Sequence, residues 1–215
     1  MNDFNFLKNK IEQSTMKYGL IDSNTGDGRL DSALSESLVV THLQELFANE
    51  DITITTGPIR EWYDILINYN GVQYPINIKI TNGNSADNVS SKLGLYYTLT
   101  GIWPEDVPGI NNNWMRYNES LIQNLNIHSD ADYYFIIYFK GTNHFFFTSL
   151  KRIDKLVSNG NNLPFQCNWK QNQYYTERNP EEQSQYLMNV YYDSWVKKTG
   201  GFAPLIKWKE EISNE

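Results

Sequence analysis

Tyr133-Tyr-Phe-Ile-Ile-Tyr-Phe139 is seven residues of strand length without a single charge, and no other stretch restricts the fold as much. A strand that is apolar on both faces must be covered on both faces, so it belongs inside a sheet with helices around it. His144-Phe-Phe-Phe-Thr-Ser-Leu150 follows after a short Gly141-Thr-Asn connection and reads as its antiparallel neighbour. A second hairpin stands upstream. Tyr63 to Tyr69 and Gln73 to Thr81 are strand-like runs joined by Asn70-Gly71, the strongest short turn signal between two strands. Asp51-Ile-Thr-Ile-Thr alternates at period two and adds one more strand before the Gly57-Pro58 turn.

Helical spacing fills the intervals. Phe4, Leu7 and Ile11 mark a helix between Asn2 and Tyr18, and the Asp22 to Arg29 loop ends it. A second helix is expected from a cap at Asp31 or Ser32 to about Asn49, carrying Leu34, Leu38, Leu43, Leu46 and Phe47. Ser85 to Thr100 predicts a third, stopped by Gly101 and Pro104, and further helices are expected near Glu119 to Leu125, Lys151 to Val157 and Glu181 to Lys197. Asn159 to Tyr175 reads as a polar aromatic loop. The expected fold class is therefore α/β, or mixed α+β: a central mixed β-sheet with an antiparallel hairpin, flanked by helices. With 215 residues, 40% hydrophobic and 14% aromatic, the chain suits one domain spanning 1–215, its core at about 31–150.

Several chemistries are excluded early. Cys167 is the only cysteine, which removes intrachain disulfides, Cys-rich zinc sites and iron–sulfur clusters. His42, His128 and His144 have no metal spacing, and GxGxxG, P-loop and GxSxG motifs do not occur. No apolar run reaches a membrane span, and the start Met1-Asn-Asp-Phe-Asn-Phe lacks a secretory pattern, so a cytoplasmic protein without a membrane partner is expected. The net charge of −7 argues against a general nucleic-acid coat, yet Lys140 to Lys170 holds five basic residues (Lys140, Lys151, Arg152, Lys155, Lys170) against Asp154 alone.

Asp64 opens one hairpin strand, while Asn77 and Lys79 lie two apart, and so on one face, of its partner. A carboxylate, a second oxygen ligand and an ammonium at one sheet edge are the parts needed to hold Mg²⁺, activate water and offset charge developing on a phosphodiester. This segment resembles the PD-(D/E)XK nucleases: Trp62-Tyr63-Asp64 matches the first element, and Asn77-Ile78-Lys79-Ile80-Thr81 matches the second. Glu36, on the preceding helix, matches the acidic helix residue of many members. Tyr63 stands where the family usually has Pro, and Asn77 replaces the second acid, leaving Glu36 or Glu61 to supply the missing carboxylate.

What the resemblance implies is a restriction-endonuclease-like fold and a Mg²⁺-dependent type II restriction endonuclease cutting double-stranded DNA at a short, palindromic sequence. Asp64 would be the main metal ligand, Asn77 the second, Lys79 the water-orienting and charge-stabilising group, and Glu36 an auxiliary ligand. A homodimer follows, because a two-fold protein matches a palindrome. The alternatives are a catalytically inactive DNA-binding module on the same scaffold and a structure-specific nuclease such as a junction resolvase. For DNA contact, Asn82, Ser85 and Asn88 are expected at the start of the third helix, where free backbone amides favour phosphate. Lys151, Arg152, Lys155 and Lys170 are expected to touch phosphates, and Gln166 and Asn168, in the loop and helix of 151–215, to read base edges.

Overall fold

The computed structural model describes residues 3–16, 28–58, 61–89, 92–140, 142, 144–161, 163–174, 179–200, 205 and 208–211, with 28–32 described by backbone alone. In chain order the elements are helices α1 (Asp3–Gln13) and α2 (Gly28–Leu46), strands β1 (Ile52–Thr56), β2 (Ile65–Tyr69), β3 (Val72–Thr81) and β4 (Asp87–Val89), helices α3 (Lys92–Thr100) and α4 (Trp114–Gln123), strands β5 (Tyr134–Phe139), β6 (Phe145–Ser149), β7 (Leu156–Val157) and β8 (Phe165–Cys167), and helix α5 (Pro180–Thr199). The fold is mixed α/β. Among the described residues no helix is long and apolar enough to cross a membrane.

The chain divides into two compact units, the first made of residues 1–85 and 134–149, the second of 86–133 and 150–215. The first unit holds a five-stranded sheet in the order β1-β2-β3-β5-β6. Its only parallel pair is β3 with β5, running from Ile76↔Tyr134 to Thr81↔Phe139, and every other neighbour is antiparallel. All six residues of β5 are buried, as a strand with two apolar faces requires. Asn70 (φ 52°) and Gly71 (φ 76°) both take the left-handed backbone of a tight hairpin, so the turn chemistry fixes the β2–β3 register.

One face of this sheet carries Ile65, Ile67, Tyr74, Ile76, Ile78, Tyr134, Ile136, Tyr138, Phe145 and Phe147, clustered with Phe4, Leu7 and Ile11 of α1 and Val39 and Leu43 of α2. By alternation Asn77 and Lys79 belong to the opposite face of β3. The buried stripe of α2 is Val39, Leu43 and the following Phe47, while Leu34 is 47% exposed, so Leu34 is not a core residue as its apolar character suggested. The helix also starts at Gly28, ahead of the expected cap, which puts Asp31 and Ser32 inside it. Residues 17–27, including the predicted interhelical loop from Asp22, lie outside the described residues.

The second unit contains a three-stranded antiparallel sheet, β4-β8-β7, together with α3, α4 and α5. Three expectations are corrected here. Ser85 to Thr100 is not one helix: Asp87–Val89 pairs with Phe165–Cys167 as a strand, and the helix begins only at Lys92. Lys151 to Val157 is a short 3₁₀ turn at Leu150–Arg152 followed by β7. Phe165 to Asn172 is not a loop but β8 and a 3₁₀ turn at Trp169–Asn172. In each case long-range strand pairing overrode a local pattern. The helix near Glu119 likewise starts earlier, where Asn113 caps it by accepting from the Met115 and Arg116 amides. At α5 the expectation holds, with Asn179 and Glu182 forming a reciprocal capping box and Gly200 (φ 74°) closing the last turn.

Candidate active site at the mouth of the β2–β3 hairpin

Asp64 lies one residue before β2, where the strand begins to leave its partner. Its backbone N–H still reaches the Ile76 carbonyl at 2.9 Å, and its carbonyl accepts from Gly57 N–H at 2.8 Å. Its carboxylate accepts the Ile78 amide at 2.6 Å. That bond anchors the carboxylate beside the Asn77–Ile78 peptide. The sequence separation is 14 residues, and the tight turn is what makes it local in space.

Asn77 is 8% exposed, and its Oδ1 is buried with no hydrogen-bond partner. A buried amide oxygen without a donor costs about 1–3 kcal/mol, so such an atom calls for an explanation. A hard cation is a sufficient one. Lys79, two residues on, is partly exposed.

Glu36 joins from α2, three residues before buried Val39 and therefore on the helical face turned to the sheet. Its carboxyl is raised above the usual carboxylate range by burial first, then by the negative charge of Asp64, and is lowered by Lys79. The Asp64 carboxyl is also raised by burial, against the lowering effects of the Ile78 hydrogen bond and the Lys79 charge. Partly buried charges are screened less than exposed ones, so neighbouring groups of this kind influence one another's ionisation. Glu36, Asp64 and Lys79, which lie far apart in sequence, therefore share one electrostatic neighbourhood. Glu61 is engaged locally, its carboxylate accepting the Trp62 amide at 3.1 Å.

Among the described residues no group of three or more His, Cys, Asp or Glu side chains is arranged to hold a metal. The candidate residues are instead two carboxylates, Glu36 and Asp64, and the amide of Asn77. An all-oxygen set of low charge suits Mg²⁺ better than a transition metal.

Gly57 escaped the sequence reading as a site residue. A Cβ at this position would fall 2.4 Å from the Tyr63 carbonyl oxygen, so only glycine lets the end of β1 approach the segment that presents Asp64. The Gly-Pro pair after β1 was the available signal. Gly57→Ala is expected to push Tyr63 and Asp64 away, weakening divalent-cation affinity more than it lowers the melting temperature. Calorimetric titration and thermal melting of the same variant check this.

The candidate DNA contacts are placed differently from the hairpin residues. Asn82 and Ser85 are exposed after β3, and Asn82 Oδ1 is turned back onto the Asn84 amide at 3.0 Å. Among the described residues, no helix N-terminus lies at these positions, and α3 is Lys92–Thr100. In the second unit, Asn88 Oδ1 accepts from Gln166 Nε2 at 2.7 Å, and Gln166 Oε1 accepts from Asn159 at 2.5 Å, so both ends of the Gln166 amide are engaged. Asn168 Oδ1 caps the 3₁₀ turn at the Gln171 amide. Lys151 donates to the Ser129 carbonyl, and Arg152 lies 3.8 Å from buried Asp132, whose other oxygen takes the Lys151 amide. No sequence signal marked Asp132 as the anchor of this basic pair. Lys155 and Lys170 are exposed.

Compared with known proteins, the chain matches no protein-family model, and no curated protein is significantly similar to it.

Proposed function

We propose that this chain is a Mg²⁺-dependent endonuclease that hydrolyses phosphodiesters of double-stranded DNA at a short specific sequence. The observation that carries the reading is the mutual electrostatic influence of Glu36, Asp64 and Lys79, with the Asp64 carboxylate bonded to the Ile78 amide next to Asn77, whose Oδ1 is buried and unpartnered. Asp64, Asn77 and Glu36 are the residues that would hold the ion, which when bound polarises a phosphoryl oxygen and lowers the pKa of water. Lys79 donates hydrogen bonds to the attacking water and offsets negative charge on the phosphorus oxygens. The Ile78 amide fixes the Asp64 carboxylate, so that ligand is oriented before any substrate arrives. The likeness of Trp62-Tyr63-Asp64 and Asn77-Ile78-Lys79 to the PD-(D/E)XK elements, and the antiparallel hairpin beside a parallel neighbour, support the same reading.

Burial raises both carboxyls, and a bound cation favours their ionised forms, so metal affinity is coupled to pH. Glu36→Gln is therefore expected to raise the Mg²⁺ concentration for half-maximal cleavage by about tenfold or more. Asn77→Asp restores the missing acid and is expected to keep activity and to bind metal at least as tightly. A Mg²⁺ titration of cleavage checks both. Unchanged metal dependence in Glu36→Gln removes Glu36 from the site and directs attention to Glu61.

Digestion of a phage genome tests the reading. Discrete fragments in Mg²⁺ support site-specific cutting. Cutting confined to branched substrates supports a junction-resolving enzyme, and binding without cutting supports an inactive module.

A further inference from the structure

The two edges of the five-stranded sheet are treated unequally by the chain. Beyond β6, Glu12 Oε1 accepts the Phe147 amide at 3.0 Å, and Thr15 bridges His144, so the chain itself covers that edge. Beyond β1, among the described residues, no strand pairs and no hydrogen bond is made by the outward backbone groups. Those groups can be identified. Pro75 stands opposite Leu66 and has no N–H, so the bonded pairs between β2 and β3 are Ile65 with Ile76 and Ile67 with Tyr74. Leu66 and Asn68 then turn their backbone groups to Thr55 and Thr53, in phase with the Gly57 to Asp64 bond. Ile52, Ile54 and Thr56 are left pointing outward.

Among the described residues, this edge has none of the usual protections. Between Ile52 and Thr56 there is no charge, no proline and no glycine, and all five residues are β-branched. Ile52 and Ile54 are already anchored by partial burial against the core. Natural sheets rarely leave such an edge open, because it is a template for another strand.

The geometry points to a second copy of this chain as the occupant, with β1 pairing antiparallel to β1 of that copy about Ile54. The strand is its own complement. With Ile54 opposite Ile54, Ile52 falls opposite Thr56, and every outward N–H meets an outward carbonyl, giving about six hydrogen bonds from three residue pairs. Thr53 then faces Thr55 in a non-bonded pair, with Cα atoms about 4.5 Å apart. No like charges meet along the strand. Two five-stranded sheets would become one continuous sheet related by a two-fold axis. The pairing rests on the edge alone and not on any catalytic reading.

Analytical ultracentrifugation of the full chain, from about 1 to 100 µM, tests the pairing in a concentration range suited to a weak dimer. The parent is expected to dimerise. Thr53→Lys with Thr55→Lys sets lysine opposite lysine twice and is expected to give a monomer. Thr53→Glu with Thr55→Lys sets opposite charges across both pairs and is expected to restore the dimer. Both variants alter exposed side chains, so unchanged circular dichroism is expected of each. Thr53→Cys with Thr55→Cys is expected to cross-link two chains on oxidation, without interference from buried Cys167. A monomeric parent, a double-lysine variant as dimeric as the parent, or a failure of the Glu/Lys variant to dimerise would each overturn the pairing. The readout is mass, so it can fail while cleavage survives, and the reverse.

Discussion

Lys79→Ala is expected to lower DNA cleavage by at least about 10²- to 10³-fold, the usual cost of removing one preorganised charge-stabilising donor. The fold is expected to survive, because Lys79 is partly exposed and its strand is held by register with β2 and β5 on either side. A second effect separates this residue from a purely structural one. The Lys79 charge lowers both Glu36 and Asp64, opposing the burial that raises them. Without it both carboxyls rise further, and a cation that needs them ionised binds only at higher pH. The acidic limb of the pH–rate profile is therefore expected to move upward in Lys79→Ala and to stay in place in Lys79→Arg, which keeps the charge. Cleavage by Lys79→Ala at a rate near the parent's would end the assignment.

Asp64→Asn is expected to abolish cleavage and divalent-cation binding while leaving the metal-free protein as stable as the parent, or more so, at neutral pH. The amide oxygen of asparagine still accepts the Ile78 N–H, so the structural bond is kept and only the charge is lost. The sign follows from burial. Because the folded Asp64 carboxyl is raised above its unfolded value, its favourable contribution is complete below the unfolded pKa and is lost as pH rises through the folded one. The parent therefore loses stability across that acidic window, and Asp64→Asn loses less, keeping only the contribution of Glu36. Asp64→Ala also strands the Ile78 amide and is expected to be about 1–3 kcal/mol less stable than Asp64→Asn across the pH range. Urea unfolding of the three proteins at pH 3 to 8, paired with Mg²⁺ titrations, measures the difference.

The sheet was readable because its signals are local and strong. Asn70-Gly71 sets the β2–β3 turn, and the uninterrupted run from Tyr133 to Phe139 can only be an inner strand. The short strands Asp87–Val89 and Phe165–Cys167 were not readable, since three residues carry little periodicity and pair across more than 70 residues of chain. Asp64, Asn77 and Lys79 were legible as a spacing within one hairpin. The approach of Glu36 depends on how α2 lies on the sheet, and Gly57 reveals its role only once the Tyr63 carbonyl is placed. Gln166 looks free in sequence and is bound at both ends of its amide in the fold, because amide side chains beside strands find neighbours that composition does not show.

The most direct test of the central claim is incubation of supercoiled plasmid with the purified chain in three arms: with Mg²⁺, with a chelator, and with Asp64→Asn in Mg²⁺. The proposed site predicts nicked and linear DNA in the first arm alone. Cutting that persists under the chelator, or in Asp64→Asn, would contradict it.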